Sequence, residues 1–85
     1  MASTRKRSAA RKKPGRVREA LKELGAHVRA RRLARGMTQE RLATVLGISV
    51  AYLSLIERGG RNPPFTTVVA IARALKIPPG DLVGS

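Results

Sequence analysis

From Val17 onward, large apolar residues recur at helical steps. Val17, Leu21, Leu24 and Val28, with Leu33 as a looser fifth member, mark one face of a helix of about 15 residues that Gly36 closes. A second helix begins after Thr38, a good N-cap. It carries Glu40 in its electropositive first turn and buries Leu42, Ala43 and Leu46 before Gly47 stops it. Ser49 then caps a third helix, with Leu53 and Ile56 on its core face, closed by Gly59 and Gly60. Beyond a loop from Gly59 to Pro64, a fourth helix over 65–76 turns Phe65, Val68, Ile71, Ala72 and Leu75 inward. Pro63 and Pro64 suit its start, because a first-turn proline forfeits no hydrogen bond. Pro78 and Pro79 end it, and Asp81-Leu82-Val83 add one last turn. No strand pattern or internal repeat interrupts this series, so the expected fold class is all-α.

Residues 39–58 carry the most specific pattern. Two helices joined by three or four residues, with a glycine in the turn, make a helix-turn-helix unit. Ala43 must be small where the second helix is crossed, and Gly47 must supply a backbone conformation that a β-carbon would strain. Leu42, Leu46, Ile48, Leu53 and Ile56 must be apolar to hold the two helices at a fixed angle. All seven positions comply, in register. At about 100° per residue, Val50, Ala51, Ser54, Leu55 and Arg58 share an arc of roughly 140°, opposite Leu53 and Ile56. That arc is the face such a unit offers to the major groove of a duplex.

Charge strengthens this picture. Eighteen Lys and Arg against five Asp and Glu give a net charge of +13, which predicts a polyanionic partner. Residues 1–18 hold eight of the cations (Arg5, Lys6, Arg7, Arg11, Lys12, Lys13, Arg16 and Arg18) and no acid. With only Met1 and Val17 as large apolar groups, this stretch is expected to be a disordered basic arm ahead of a domain over 19–85. A solvated, solubilising extension is the blander alternative. A bilayer is the weaker partner: no apolar run nears the roughly 18 residues of a span, and the arm has no apolar row for an interface. The first 20 residues have no signal-peptide core. Cysteine is absent and His27 is the single histidine, so no thiolate or histidine metal site is expected, and no cofactor. His27 is expected on a helix surface without a role. The five carboxylates are dispersed and no nucleophile–base set exists, so no enzyme is expected. Aromatics are 2% of the chain, which calls for an aliphatic core.

The segment from Leu24 to Leu82 resembles the XRE, or phage-repressor and Cro-like, helix-turn-helix family. The residues that carry the likeness are Met37-Thr38-Gln39-Glu40, Leu42-Ala43, Leu46-Gly47-Ile48-Ser49, Leu53 through Gly59, Arg61-Asn62-Pro63 and Ala70 through Leu75. The resemblance implies a five-helix lambda-repressor-like bundle, a cytoplasmic regulator, and a homodimer on a palindromic site in double-stranded DNA. The short segment after Pro79 leaves little surface for self-association off DNA. It implies a buried pair between Arg32 and Glu57, with a surface glutamate beside Arg58 as the alternative. It implies phosphate contacts by Gln39, Arg58, Arg61 and Asn62, and by Arg32 where that side chain reaches the backbone. The bland alternatives are an ordinary first-turn glutamine and a solvated turn. Tyr52 flanks the groove face, its hydroxyl either at a phosphate or partly buried. The base-facing residues are Ser49, Val50, Ala51, Ser54 and Leu55.

The chain departs from the family at Gly60, where a lysine is common, and at Lys76, where glycine is common. Its base-facing set lacks the Gln, Asn or Lys that read base edges, which leaves Arg58 as the one candidate for a bidentate contact. Two other readings therefore stand beside a sequence-specific regulator. One is a low-specificity basic architectural or RNA-associated protein. The other is a protein-interaction module that docks a partner on Val50, Ala51 and Leu55.

Overall fold

The computed structural model describes residues 2–83, with side chains from Gly15 to Val83. Five helices follow one another: α1 (Ala2–Ala34), α2 (Gln39–Leu46), α3 (Val50–Glu57), α4 (Phe65–Leu75) and α5 (Gly80–Val83). No strand occurs among the described residues. Helix α1 packs against α3 and α5, while α2 packs against α3 and α4. The core between them is wholly aliphatic: Leu24 and Val28 from α1, Leu42 and Ala43 from α2, Leu53 and Ile56 from α3, Val68, Ile71, Ala72 and Leu75 from α4, and Leu82 from α5.

The caps follow the sequence pattern. Thr38 Oγ1 accepts from the Arg41 amide at 3.0 Å, and Ser49 Oγ accepts from the Tyr52 amide at 3.0 Å. Between α2 and α3, Gly47 sits at φ 72°, and the Ile48 amide reaches back to the Ala43 carbonyl at 3.0 Å. This left-handed stop turns the chain within three residues. The same closure ends α4, where the Ile77 amide donates to Ala72 at 3.0 Å, but there Lys76 occupies the left-handed position at φ 60°.

Several expectations are corrected. Phe65 is 73% exposed, because Pro64 is the N-cap of α4 and the first helical residue precedes the inward face of Val68, Ile71 and Leu75. Val17 is also exposed, ahead of the covered turns of α1, and so is Leu33, which lies about 140° around the helix from the buried Val28. Leu46 and Ile48 are half-buried at the edge of the core. His27 is not an idle surface group: its Nδ1 lies 2.8 Å from the Leu82 carbonyl oxygen, and it helps Arg31, 3.2 Å from Asp81 Oδ2, to tie α5 to α1. The bounds of α1 include residues 2–18, the stretch read above as a basic arm. Its alanines, lysines and arginines are strong helix formers even though they supply no apolar face. The arm side chains Arg5, Lys6, Arg7, Arg11, Lys12 and Lys13 lie outside the described side chains.

Candidate nucleic-acid interface

The two helices of the unit remain separate rods, and one carboxylate braces them. Glu57, on the last turn of α3, accepts from Arg32 Nε at 2.7 Å, from Arg32 Nη2 at 3.0 Å and from Gln39 Nε2 at 3.0 Å. Arg32 Nη1 donates to the Met37 carbonyl at 2.8 Å. The end of α1, the turn after it, the start of α2 and the end of α3 are thereby joined through one network. Arg32 and Glu57 are each only 6% exposed, and no buried side-chain nitrogen or oxygen among the described residues lacks a partner. Complete pairing is what allows such charges to sit away from water. Hydrogen bonding to Glu57 raises the Arg32 guanidinium pKa above its ordinary value, burial works against it, and the charges of Glu57 and Glu40 add to the rise.

This geometry moves two expected phosphate contacts. Arg32 is buried with its three nitrogens engaged, so it braces the fold and does not reach the surface. Gln39 is half-buried and its amide nitrogen is turned to Glu57. What remains for an anion at the start of α2 is the helix terminus itself, where first-turn amides have no intrahelical acceptor.

A close approach at Gly25 completes the brace, and sequence reasoning missed it. A β-carbon there would lie 2.5 Å from the Glu57 carbonyl oxygen, and closer still to that of Ile56. Only a bare backbone lets α1 cross the end of α3 at this depth. The available signal was the position of Gly25 on the Leu21, Leu24 and Val28 face, where a glycine inside a helix points to tight packing.

The outer side of α3 is open except where the loop after it meets Leu55. Ser49, Val50, Ala51 and Arg58 are exposed, while Ser54 and Leu55 are half-buried. Leu55 leans toward Gly60, where a β-carbon would meet its Cδ2 at 3.4 Å. Arg58 bends back along the helix, its Nε 3.4 Å from the Ser54 carbonyl. Tyr52 is half-buried against the core. Arg61 and Asn62 are exposed on the loop after α3, over the buried Pro63. Among the described residues there is no cluster of side chains suited to a metal ion, and no helix long and apolar enough to cross a membrane.

Two short helices braced at a fixed angle, with the second one's outer face uncovered, define a helix-turn-helix DNA-binding protein. The helix-turn-helix family model matches residues 28–82. The chain belongs to this family, in its XRE-type branch, and is a transcriptional regulator of that type. It is 39% identical over 62 residues to the uncharacterised regulator y4dJ of Sinorhizobium fredii, a match spanning 73% of this chain and 80% of that one. It is 43% identical over 58 residues to the uncharacterised regulator YazB of Bacillus subtilis, spanning 68% and 84%. Among solved structures, the restriction-modification controller protein C.AhdI of Aeromonas hydrophila superposes with a TM-score of 0.70 at 37% identity, covering 73% of this chain and 94% of that one. Some relatives are much longer, and the match spans 22% of the mycobacterial regulators' length.

Proposed function

We propose that this regulator lays the outer face of α3 in the major groove, with Ser49, Val50, Ala51, Ser54 and Leu55 against the base edges. Backbone phosphates are held at the start of α2 beside Gln39, and by Arg58, Arg61 and Asn62, with the Tyr52 hydroxyl at the flank. The Arg32–Glu57 pair fixes the angle at which α3 is presented. The basic stretch 1–18 adds backbone contacts through Arg5, Lys6, Arg7, Arg11, Lys12 and Lys13, and the protein binds a palindromic site as a homodimer. The observation that carries this reading is that α3 is rigidly braced from behind while Ser49, Val50, Ala51 and Arg58 stay exposed in front.

Selection of bound sequences from a random duplex pool tests it. At moderate salt the selected duplex should outcompete random DNA by about a thousandfold or more. Equal competition overturns it and favours the low-specificity architectural reading. That second reading has one observation behind it. Apart from Arg58, the exposed face of α3 offers only short hydroxyls and aliphatic groups, which contact thymine methyls but make no bidentate base contact.

A further inference from the structure

The cationic side of α1 faces the same way as the loop after α3. Gly59 lies directly on Lys22: a β-carbon there would meet Lys22 Cγ at 2.9 Å and its Cα at 3.0 Å. Beside that contact, Val17, Arg18 and Leu21 form one wall of an open groove of about 650 Å³, and Gly59, Gly60, Arg61 and Asn62 form the other. Arg18, Lys22 and Arg61 are exposed, and the ion pairs among the described residues belong to other cations, Arg31 and Arg32. Two exposed, unpaired cations, Arg18 and Arg61, thus line the groove, and Lys22 stands beside it against Gly59, next to Arg58 at the end of the groove-reading helix. Side chains of one sign gathered around a concave surface focus a field that attracts an anion.

The arrangement is directional. At about 100° per residue, Lys22 lies some 40° and Gly25 some 20° from Arg18 around α1, so these cations share the side that touches α3. Arg16, Glu19 and Glu23 fall about 100–160° away. Glu23 is therefore kept off the cationic side, and Glu19 flanks it, about 60° from Lys22.

We propose that Arg18 and Lys22, acting with Arg61, hold a run of duplex backbone phosphates beside the groove-reading helix. Helix α1 is then a second DNA-contacting element as well as a scaffold. This rests on the reading of α3 as the groove helix. The cationic side of α1 adds salt-dependent affinity that is indifferent to sequence, which suits a recognition face poor in base-reading groups.

The test uses the full chain, the duplex selected from the random pool, and the salt dependence of binding. Arg18→Gln with Lys22→Gln keeps the aliphatic stems and removes the charges. Two lost phosphate contacts lower the log–log salt slope by about 1.8 and weaken binding roughly 30-fold near 0.15 M salt. Arg18→Gln alone, which leaves Lys22 on Gly59, lowers the slope by about 0.9, so the proposal stays testable if the Lys22 change loosens that packing. Arg16→Gln, on the other side of α1, leaves the slope unchanged. An unchanged slope in the double variant overturns the proposal. So does an equal fall with Arg16→Gln, which would mean diffuse attraction to net charge. Ala51→Glu separates this from the groove reading: if it abolishes preference for the selected duplex while the double variant keeps its full slope, α3 reads the groove and Arg18 and Lys22 do not touch DNA.

Discussion

Replacing Gly25 by alanine sets two effects of opposite sign against each other. Inside a helix, Gly→Ala ordinarily stabilises by about 1 kcal/mol through backbone entropy. Here the new methyl would stand 2.5 Å from the Glu57 carbonyl oxygen, where ordinary contact begins at 3.4 Å. The obstacle is backbone, which cannot swing aside as a side chain can. Helix α1 must therefore retreat by about 0.9 Å at the crossing, and a gap of that size forfeits a quarter to a half of the local dispersion contacts. Leu24 and Val28, each worth about 1.5–3 kcal/mol when buried, then lose roughly 1 kcal/mol apiece. The 2.7 Å bond from Arg32 to Glu57 would stretch beyond hydrogen-bonding range, at a further cost of about 1.5 kcal/mol. Set against the propensity gain, the net loss is about 2–3 kcal/mol, or roughly 10–20 °C in Tm for a domain of this size. Thermal melts followed by circular dichroism measure it, with Gly15→Ala as the control, because a β-carbon at Gly15 has nothing within 4 Å. A Gly25→Ala protein that melts at or above the parent temperature would refute the close crossing of α1 over α3.

The other expectations concern the brace, a helix end and the groove face. Glu57→Ala strands the buried Arg32 cation and should cost about 3–5 kcal/mol in a urea melt; a loss under 1 kcal/mol would mean the pair is solvated. Lys76→Gly relieves the left-handed residue at the end of α4 and should raise stability by up to about 1 kcal/mol, the reverse of the usual effect of a new glycine. A melt lowered by that change would show that Lys76 is not strained there. Ala51→Glu places a charge on the exposed side of α3 and should abolish duplex binding in a mobility-shift assay while leaving the melt within a few degrees. Retained binding would remove α3 from the groove.

What the sequence made legible was local chemistry with a fixed spacing. Thr38, Ser49 and Gly47 each act on backbone atoms one to four residues away, so their roles could be read without knowing the fold. The core positions Leu42, Ala43, Leu53 and Ile56 followed from helical period alone. Phe65 was misread because period identifies a face but not where a helix begins to be covered, and α4 starts one turn before its partners do. The role of His27 and the partner of Gly25 were hidden for a different reason. Each matters only through a residue far along the chain, Leu82 for one and the Ile56–Glu57 backbone for the other. No pattern within α1 records those distances.

The same distinction runs through the candidate site. The pairing of Arg32 with Glu57 was legible through family resemblance, but the limits on its members were not. A guanidinium that spends three of its five N–H donors inside the fold, at 6% exposure, has little left for a phosphate, and an amide donating to a carboxylate keeps one N–H to turn outward. Burial therefore divides the expected phosphate set. Arg32 becomes part of the brace and Gln39 half so, while Arg58, Arg61 and Asn62 stay outside with the helix terminus of α2. Affinity lost on that side must come from elsewhere on the surface, and the exposed cations of α1 beside the loop after α3 are Arg18 and Lys22. A regulator that reads DNA with α3, as proposed, has few ways to gain binding energy from bases through mostly serine, alanine, valine and leucine. Its surplus of positive charge is most useful where rigid packing aims it, and on this chain the packing of Gly25 and Gly59 against neighbouring backbone aims it beside α3.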